Sequence, residues 1–400
     1  MSIFSIFRRK KKDKTVLKEK SLVENENSNL KEELKLNIKE INDKDIEIDY
    51  AVKLNNKDVI ARIVNMLPEV GNLLTNNKDK SYVVSLPKVS GKLDNAKKNV
   101  NTNDVNLNDV EVNNDVPLAK QIAKYLDENY KNNKRSSNAE AIVASANIAS
   151  SYIVNEVKND LDKINSEVLS INSFLSNEYK SKIDEISLFI DKTTKFSDEI
   201  ISDDNRRRER ISQIENHISV GIQLLKQAIL SISEDIKDIK DNYSKYEKQV
   251  YAINNWVLNL KALYGLLAEL CKLDYLYYQG SASLESCEYD LKQVMPEIKE
   301  LLLGLANWHQ IEHMKLDVNM ETGEHRNTGL KTMFKKLLTR AENHRDIEYS
   351  RIPEVVLGMI SNQMNMNISQ YEIKLSEVFN KEINLAIIQG EIYYYQNMVC

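Results

Sequence analysis

Residues 222–271 read IQLLKQAILSISEDIKDIKDNYSKYEKQVYAINNWVLNLKALYGLLAELC, and their apolar spacing decides the fold. Ile222, Leu225, Ile229, Ile232, Ile236, Ile239, Tyr243, Tyr246, Val250, Ile253, Val257, Leu260, Tyr264, Leu267 and Cys271 alternate steps of three and four without a break. A repeat of this kind puts a narrow apolar seam on one side of a helix and demands a partner helix. Upstream, Ile211, Ile214 and Ile218 carry the same stripe, with one four-four step that acts as a stutter. Unbroken, a helix from Ile211 to Cys271 spans about 90 Å at a rise of about 1.5 Å per residue. The expectation is an elongated helical element.

A second seam precedes it. Ser137 and Glu140 form a capping box, and Val143, Asn147, Ser150, Val154, Val157, Leu161, Ile164, Val168, Ile171 and Leu175 follow in four-three alternation. Small residues (Ala139, Ala141, Ala144, Ala146 and Ala149) allow close helix approach at its start. After another stutter, Tyr179, Ile183, Ile186 and Ile190 continue towards Ile200. Ser202-Asp203-Asp204-Asn205 is a turn signal, so the two arms read as an antiparallel hairpin. Equal distances from position 206 pair Leu161 with about residue 251 and Leu175 with about residue 237 if the rise of both arms is about 1.5 Å per residue. Arg206, Arg207, Arg208 and Arg210 then sit at the tip, where a charge run usually faces solvent.

The remaining segments are less regular. Residues 1–45 are charged and Asn-rich, with Leu30, Leu34, Ile38 and Ile41 on one helical face. Residues 46–98 suggest a small mixed subdomain, with strand patterns at Ile46–Leu54 and Tyr82–Leu86 and a short helix capped by Asp58 and ended by Pro68. Residues 99–116 hold seven Asn and read as a linker. The hairpin domain spans 117–280, opened by Pro117. A helical bundle spans 281–400, with seams at Leu284–Trp308, a short basic helix at 330–338 and a final helix from Val355 to Tyr395. The pair Met364 and Met366 and the run Tyr393-Tyr394-Tyr395 read as packing.

Composition supports this plan. Only 10 Gly and 5 Pro interrupt 400 residues, which favours long helices. The net charge of −5 argues against a general nucleic-acid binder. Cys271, Cys287 and Cys400 form no CxxC pair, which fits a reduced cytoplasmic compartment. No stretch is long and charge-free enough to span a bilayer, and the N-terminus lacks the order of a secretory signal.

The charge is uneven, however. Ser2-Ile3-Phe4-Ser5-Ile6-Phe7 is followed by Arg8, Arg9, Lys10, Lys11 and Lys12, and residues 1–14 carry a net +5. Phe4 and Phe7 backed by these cations make a candidate tip for an anionic membrane surface. The alternative is a start whose charge serves solubility alone.

The sharpest chemical motif is His309-Gln310-Ile311-Glu312-His313. Spacing of four puts both imidazoles on one helical face, as a zinc site needs, with Glu312 beside them to activate water. Read as H-x-x-E-H, these five residues resemble the metal motif of the inverzincin peptidases. That resemblance implies a further ligand from elsewhere, for which Glu321, Glu324 and His325 are the neighbours in sequence. The apolar register of Val294, Ile298, Leu301, Leu305 and Trp308 also lands on Glu312, so the plainer reading makes the motif the end of a packed face. No phosphate-binding glycine loop and no nucleophile motif is present, and no cofactor is expected.

These readings converge on a mostly α protein: a long antiparallel coiled-coil hairpin plus a C-terminal helical bundle, with a small mixed α/β segment near the N-terminus. The expected function is a non-enzymatic scaffold or tether in the cytoplasm, peripheral to the inner face of a membrane. It would hold a protein partner or assemble as a homo-oligomer. Two alternatives are a metal-dependent hydrolase built on His309, Glu312 and His313, and a helical membrane-permeabilising effector.

Overall fold

The computed structural model describes residues 35–41, 51–76, 80–89, 91–100, 113, 116–130, 136–169, 177–326, 349–369, 372–373, 375 and 377–395. The N-terminal tip and the 330–338 segment lie outside them. The chain divides into two compact units, the first made of residues 1–155, 278–283 and 375–400, the second of 156–277 and 284–374. Most described residues are helical, as the sequence pattern requires.

The first unit is built on an antiparallel sheet ordered β1-β3-β6-β7-β2. Its strands are β1 (Asn37–Ile41), β2 (Val52–Lys53), β3 (Ser81–Leu86), β6 (Ile383–Ile388) and β7 (Glu391–Tyr395). Segments from opposite ends of the chain therefore share one sheet, with Tyr82 opposite Ile387 and Leu86 opposite Ile383. Three expectations are corrected here. Residues 383–395 are a hairpin instead of the end of a helix. Its turn, Gln389-Gly390, has φ of 50° and 81°, the left-handed pair that a two-residue hairpin turn needs. Residues 37–41 are a strand, although the spacing of Ile38 and Ile41 also fits one helical face. The first short helix, α1 (Lys57–Met66), is capped by Asn56 and not by Asp58, the Asn56 Oδ1 accepting from Asp58 N at 2.9 Å; it stops just before Pro68 as expected, and Pro68 also opens α2 (Pro68–Asn76).

Two further helices complete that unit, α3 (Leu93–Asn99) and α4 (Leu118–Tyr130), the latter packed on α1 and α2. The capping box starts α5 (Asn138–Leu169) as read: Ser137 N donates to Glu140 Oε2 at 2.7 Å and Glu140 N to Ser137 Oγ at 3.2 Å. The alanine-rich first half of α5 is buried, and Ser145 Oγ donates to the Pro87 carbonyl at 2.8 Å. Tyr152 lies against Tyr394 of β7 with ring centroids 5.1 Å apart.

The second unit is an up-and-down helical bundle. It contains the second half of α5, α6 (Asn177–Lys195), α7 (Ser197–Ser202), α8 (Asp204–Asp235), α9 (Tyr243–Tyr278), α10 (Leu284–Cys287), α11 (Tyr289–Leu316) and α12 (Glu354–Met364), with a small ladder of β4 (Glu324–Arg326) and β5 (Tyr349–Arg351). The expected hairpin is formed by α6 and α8, since Tyr179 Oη donates to the Leu224 carbonyl at 2.9 Å and Arg210 to Thr193 Oγ1 at 3.1 Å. Its tip is where the turn signal lies, with Asp203 Oδ1 capping α8 through Asn205 N at 2.9 Å.

The arms are shorter than the seams promised. The long helix from Ile211 to Cys271 is broken at residues 236–242, so α9 folds back antiparallel to α8. Arg207 donates to the Tyr277 carbonyl at 2.8 Å, and a Cβ on Gly221 would lie 2.7 Å from Leu267 Cδ2. Leu161 consequently does not reach the vicinity of residue 251. Its neighbour Asp160 instead meets Lys272, at 2.8 Å, and Lys272 also contacts Glu269 at 2.9 Å. Each seam thus finds its partner inside a bundle, and buried residues such as Ile232, Tyr246, Val250 and Leu260 line that core.

Candidate functional site

The break between α8 and α9 forms a corner of the bundle whose backbone groups need partners, and the H-x-x-E-H motif lies at that corner. Asp and Asn are poor helix formers, and the run Asp238-Ile239-Lys240-Asp241-Asn242 concentrates them. Asn242 caps α9 by accepting from Lys245 N at 3.0 Å. The corner itself is held by α11. Trp308 Nε1 donates to the Asp238 carbonyl at 3.3 Å, and Glu312 Oε1 accepts the Lys240 backbone N–H at 2.5 Å.

His309 and His313 converge on one hydroxyl. Tyr246 Oη lies 2.8 Å from His309 Nδ1 and 3.0 Å from His313 Nε2. His309 Nε2 lies 3.0 Å from Gln363 Oε1, and Gln363 Nε2 donates to the Val250 carbonyl at 2.9 Å. That last bond sets every direction in the chain, because a carbonyl only accepts. Gln363 must present its oxygen to His309, so His309 Nε2 carries the proton and Nδ1 is the acceptor. Tyr246 donates to His309 Nδ1, and His313 Nε2–H donates to Tyr246. The result is a directed relay, His313 to Tyr246 to His309 to Gln363 to the Val250 carbonyl.

Burial tunes each member. His309 is fully buried, and the loss of water pushes its pKa down to about 4, which keeps it neutral. Burial lowers His313 as well, and it raises the Tyr246 hydroxyl and the Glu312 carboxyl. Glu312 Oε2 has no hydrogen-bond partner among the described residues, which fits a carboxyl held towards its protonated form. Both ring nitrogens of His309 are engaged within the protein, so the two imidazoles do not offer free lone pairs to one shared ion. Among the described residues, no group of three or more His, Cys, Asp or Glu could hold a metal.

The other sequence candidates fall elsewhere. His325 stacks on Tyr243 with centroids 3.6 Å apart, while Glu321 and Glu324 are exposed. At the hairpin tip, Arg207 is buried and spent on Tyr277, and Arg210 lies 5.2 Å over the Phe189 ring. Arg206 lines an open pocket of about 370 Å³ with Lys192, Phe196, Glu199 and Arg210. Phe4, Phe7, Arg8, Arg9, Lys10, Lys11 and Lys12 lie outside the described residues.

Tyr246 and Gln363 were missed as site residues. Tyr246 occupies a seam position and looks like packing; it is one of three hydroxyl-bearing residues in the stripe, with Tyr243 and Tyr264, and nothing in the spacing singles it out. Gln363 is the single amide on the buried face of α12, beside Val356 and Ile360. Comparison of the chain with protein-family models, curated proteins and solved structures found no match.

Proposed function

We propose that the chain is a non-enzymatic scaffold or tether, whose helical unit engages a protein partner and whose basic N-terminal tip rests on an anionic membrane surface at the cytoplasmic face. The observation that supports this reading is the use of the chemically sharpest motif. Trp308, His309, Glu312 and His313 all make hydrogen bonds to groups of neighbouring helices or to the corner backbone. Polar groups satisfied in this way rigidify and specify a bundle. The outer helix faces retain well-exposed apolar side chains, Leu230, Leu303, Met314 and Val355 among them, which are available for a partner.

Crosslinking mass spectrometry on affinity-purified full-length protein tests the proposal. The expected result is a stoichiometric partner crosslinked to the outer faces of α8 and α11, lost when Leu230 and Leu303 become Asp. A metal-dependent hydrolytic activity abolished by His309→Ala would replace this reading with the hydrolase.

A further inference from the structure

We propose that the 236–242 corner is a hinge for exchange between two copies of this chain: the corner straightens, α8 and α9 become one helix, and each copy's α9 packs on the other's α8.

Three observations carry this. First, the seam does not stop at the corner. Ile229 and Ile232 before it and Tyr243 and Tyr246 after it are buried, and Ile236 and Ile239 hold the three-four phase between them. The corner, Ile236 to Asn242, is one heptad long, so both flanking helices keep the register of a single rod. A connection selected only as a turn has no need of that phase.

Second, the corner leaves its seam residues poorly used. Ile239 is 38% exposed. Ile236 is only half-buried, against Gly304 of α11.

Third, the bonds that distinguish bent from straight are few and local. The bent form has Trp308 Nε1 on the Asp238 carbonyl, Glu312 on Lys240 N, and the Asn242 cap. The straight form replaces them with helical backbone bonds through the same seven residues. The relay of Tyr246, His309, His313 and Gln363 lies wholly on the C-terminal side of the hinge and moves as a piece. Contacts of α8 with α9, such as Gly221 on Leu267, are recovered between copies. Because exchange restores the core, its balance is set by the hinge alone.

The test uses the full-length chain with Cys271, Cys287 and Cys400 replaced by alanine and spin labels at positions 227 and 261, diluted with unlabelled protein. In the bent form these positions face each other across antiparallel helices, about 10 Å apart at the backbone. In a continuous helix they are separated by about 50 Å. Glu312→Leu removes a bond that only the bent form makes. It is expected to raise the dimer fraction at least tenfold in light scattering, with the long distance appearing in the same sample. Inserting two glycines after Ile239 into that variant breaks the helix and the phase, and should return it to a monomer with the short distance. If Glu312→Leu lowers helix content, Trp308→Phe, which deletes the Nε1 donor together with part of a buried ring, takes its place. A population that stays monomeric in both variants overturns the hinge, and so does a dimer that keeps only the short distance.

Discussion

Glu312 Oε1 reaches from α11 to the backbone N–H of Lys240 at 2.5 Å, and so a side chain that sequence nominates for chemistry closes a helical corner. The same three residues that suggested a zinc hydrolase, His309, Glu312 and His313, supply that corner contact and the two imidazoles on Tyr246. Their spacing of three and four serves the corner as well as it would serve a metal, since either task needs side chains on one helical face.

Replacing Tyr246 by Phe should destabilise the protein with little change in core volume. The substitution deletes one hydroxyl and leaves the buried His309 Nδ1 without its partner, at a cost of about 1–3 kcal/mol, and the half-buried His313 Nε2 without its own, at a smaller cost. Urea unfolding followed by circular dichroism measures the loss. A change below about 0.5 kcal/mol, the level of an ordinary surface substitution, would show that the relay is not formed.

Acid should weaken the fold through His309. Its pKa falls from 6.5 to about 4 on burial, so the unfolded chain binds the proton and the native state does not. The stability it supports is complete above pH 6.5 and is lost as pH drops towards 4, on the order of 2–3 kcal/mol for a shift of this size. Glu312 works in the opposite sense, because burial raises its pKa and its native form gains from protonation. Comparing wild type with His309→Gln isolates the histidine: the variant should lose less stability between pH 6.5 and 4. Equal slopes would remove His309 from the account.

Helical content and the α6–α8 hairpin were legible because seam spacing and the Asp203 turn act locally. The corner was not. Its residues keep perfect heptad phase, and the groups that bend it, Trp308 and Glu312, are seventy residues away in the chain. Strands β6 and β7 were hidden in a similar manner. Leu385, Ile388, Ile392 and Tyr395 happen to fall at helical spacing, and only the Gln389-Gly390 turn and the β-branched run around it signalled a hairpin. For the site, the i, i+4 histidines were visible, whereas Tyr246 and Gln363 carry no motif of their own.

Lys272 offers a separate test of the bundle. It is almost fully buried, with Asp160 of α5 and Glu269 of its own helix as partners. Burial raises the Glu269 pKa to about 8, so Asp160 supplies the firmer negative charge; burial pulls its pKa up, but the hydrogen bonds from Lys272 and Lys163 outweigh that and lower it. Lys272→Met should cost about 3–5 kcal/mol, the usual penalty for stranding a buried partner. Adding Glu269→Leu should restore part of that, because Asp160 can turn to water. If the double variant is no better than the single one, the pair is not coupled.

The membrane contact proposed for the N-terminus needs two weak contributions together. Phe4 and Phe7, each buried at an interface, supply at most about 1.5–3 kcal/mol. Arg8, Arg9, Lys10, Lys11 and Lys12 each add about 1 kcal/mol near an anionic surface. Neither set holds a 46.2 kDa chain firmly alone, so binding should require both. Full-length protein should co-sediment with vesicles containing phosphatidylserine and much less with neutral ones. Raising salt from 0.1 M towards 1 M shortens the screening length from about 10 Å to about 3 Å and should release it. Changing Phe4 and Phe7 to Ser, or deleting residues 1–14, should abolish binding with no change in helix content. If the deleted chain sediments as well as the intact one, the lipid-facing surface lies elsewhere. Arg206 and Lys192 at the hairpin tip, beside the exposed Phe196 ring, would then be the residues to change.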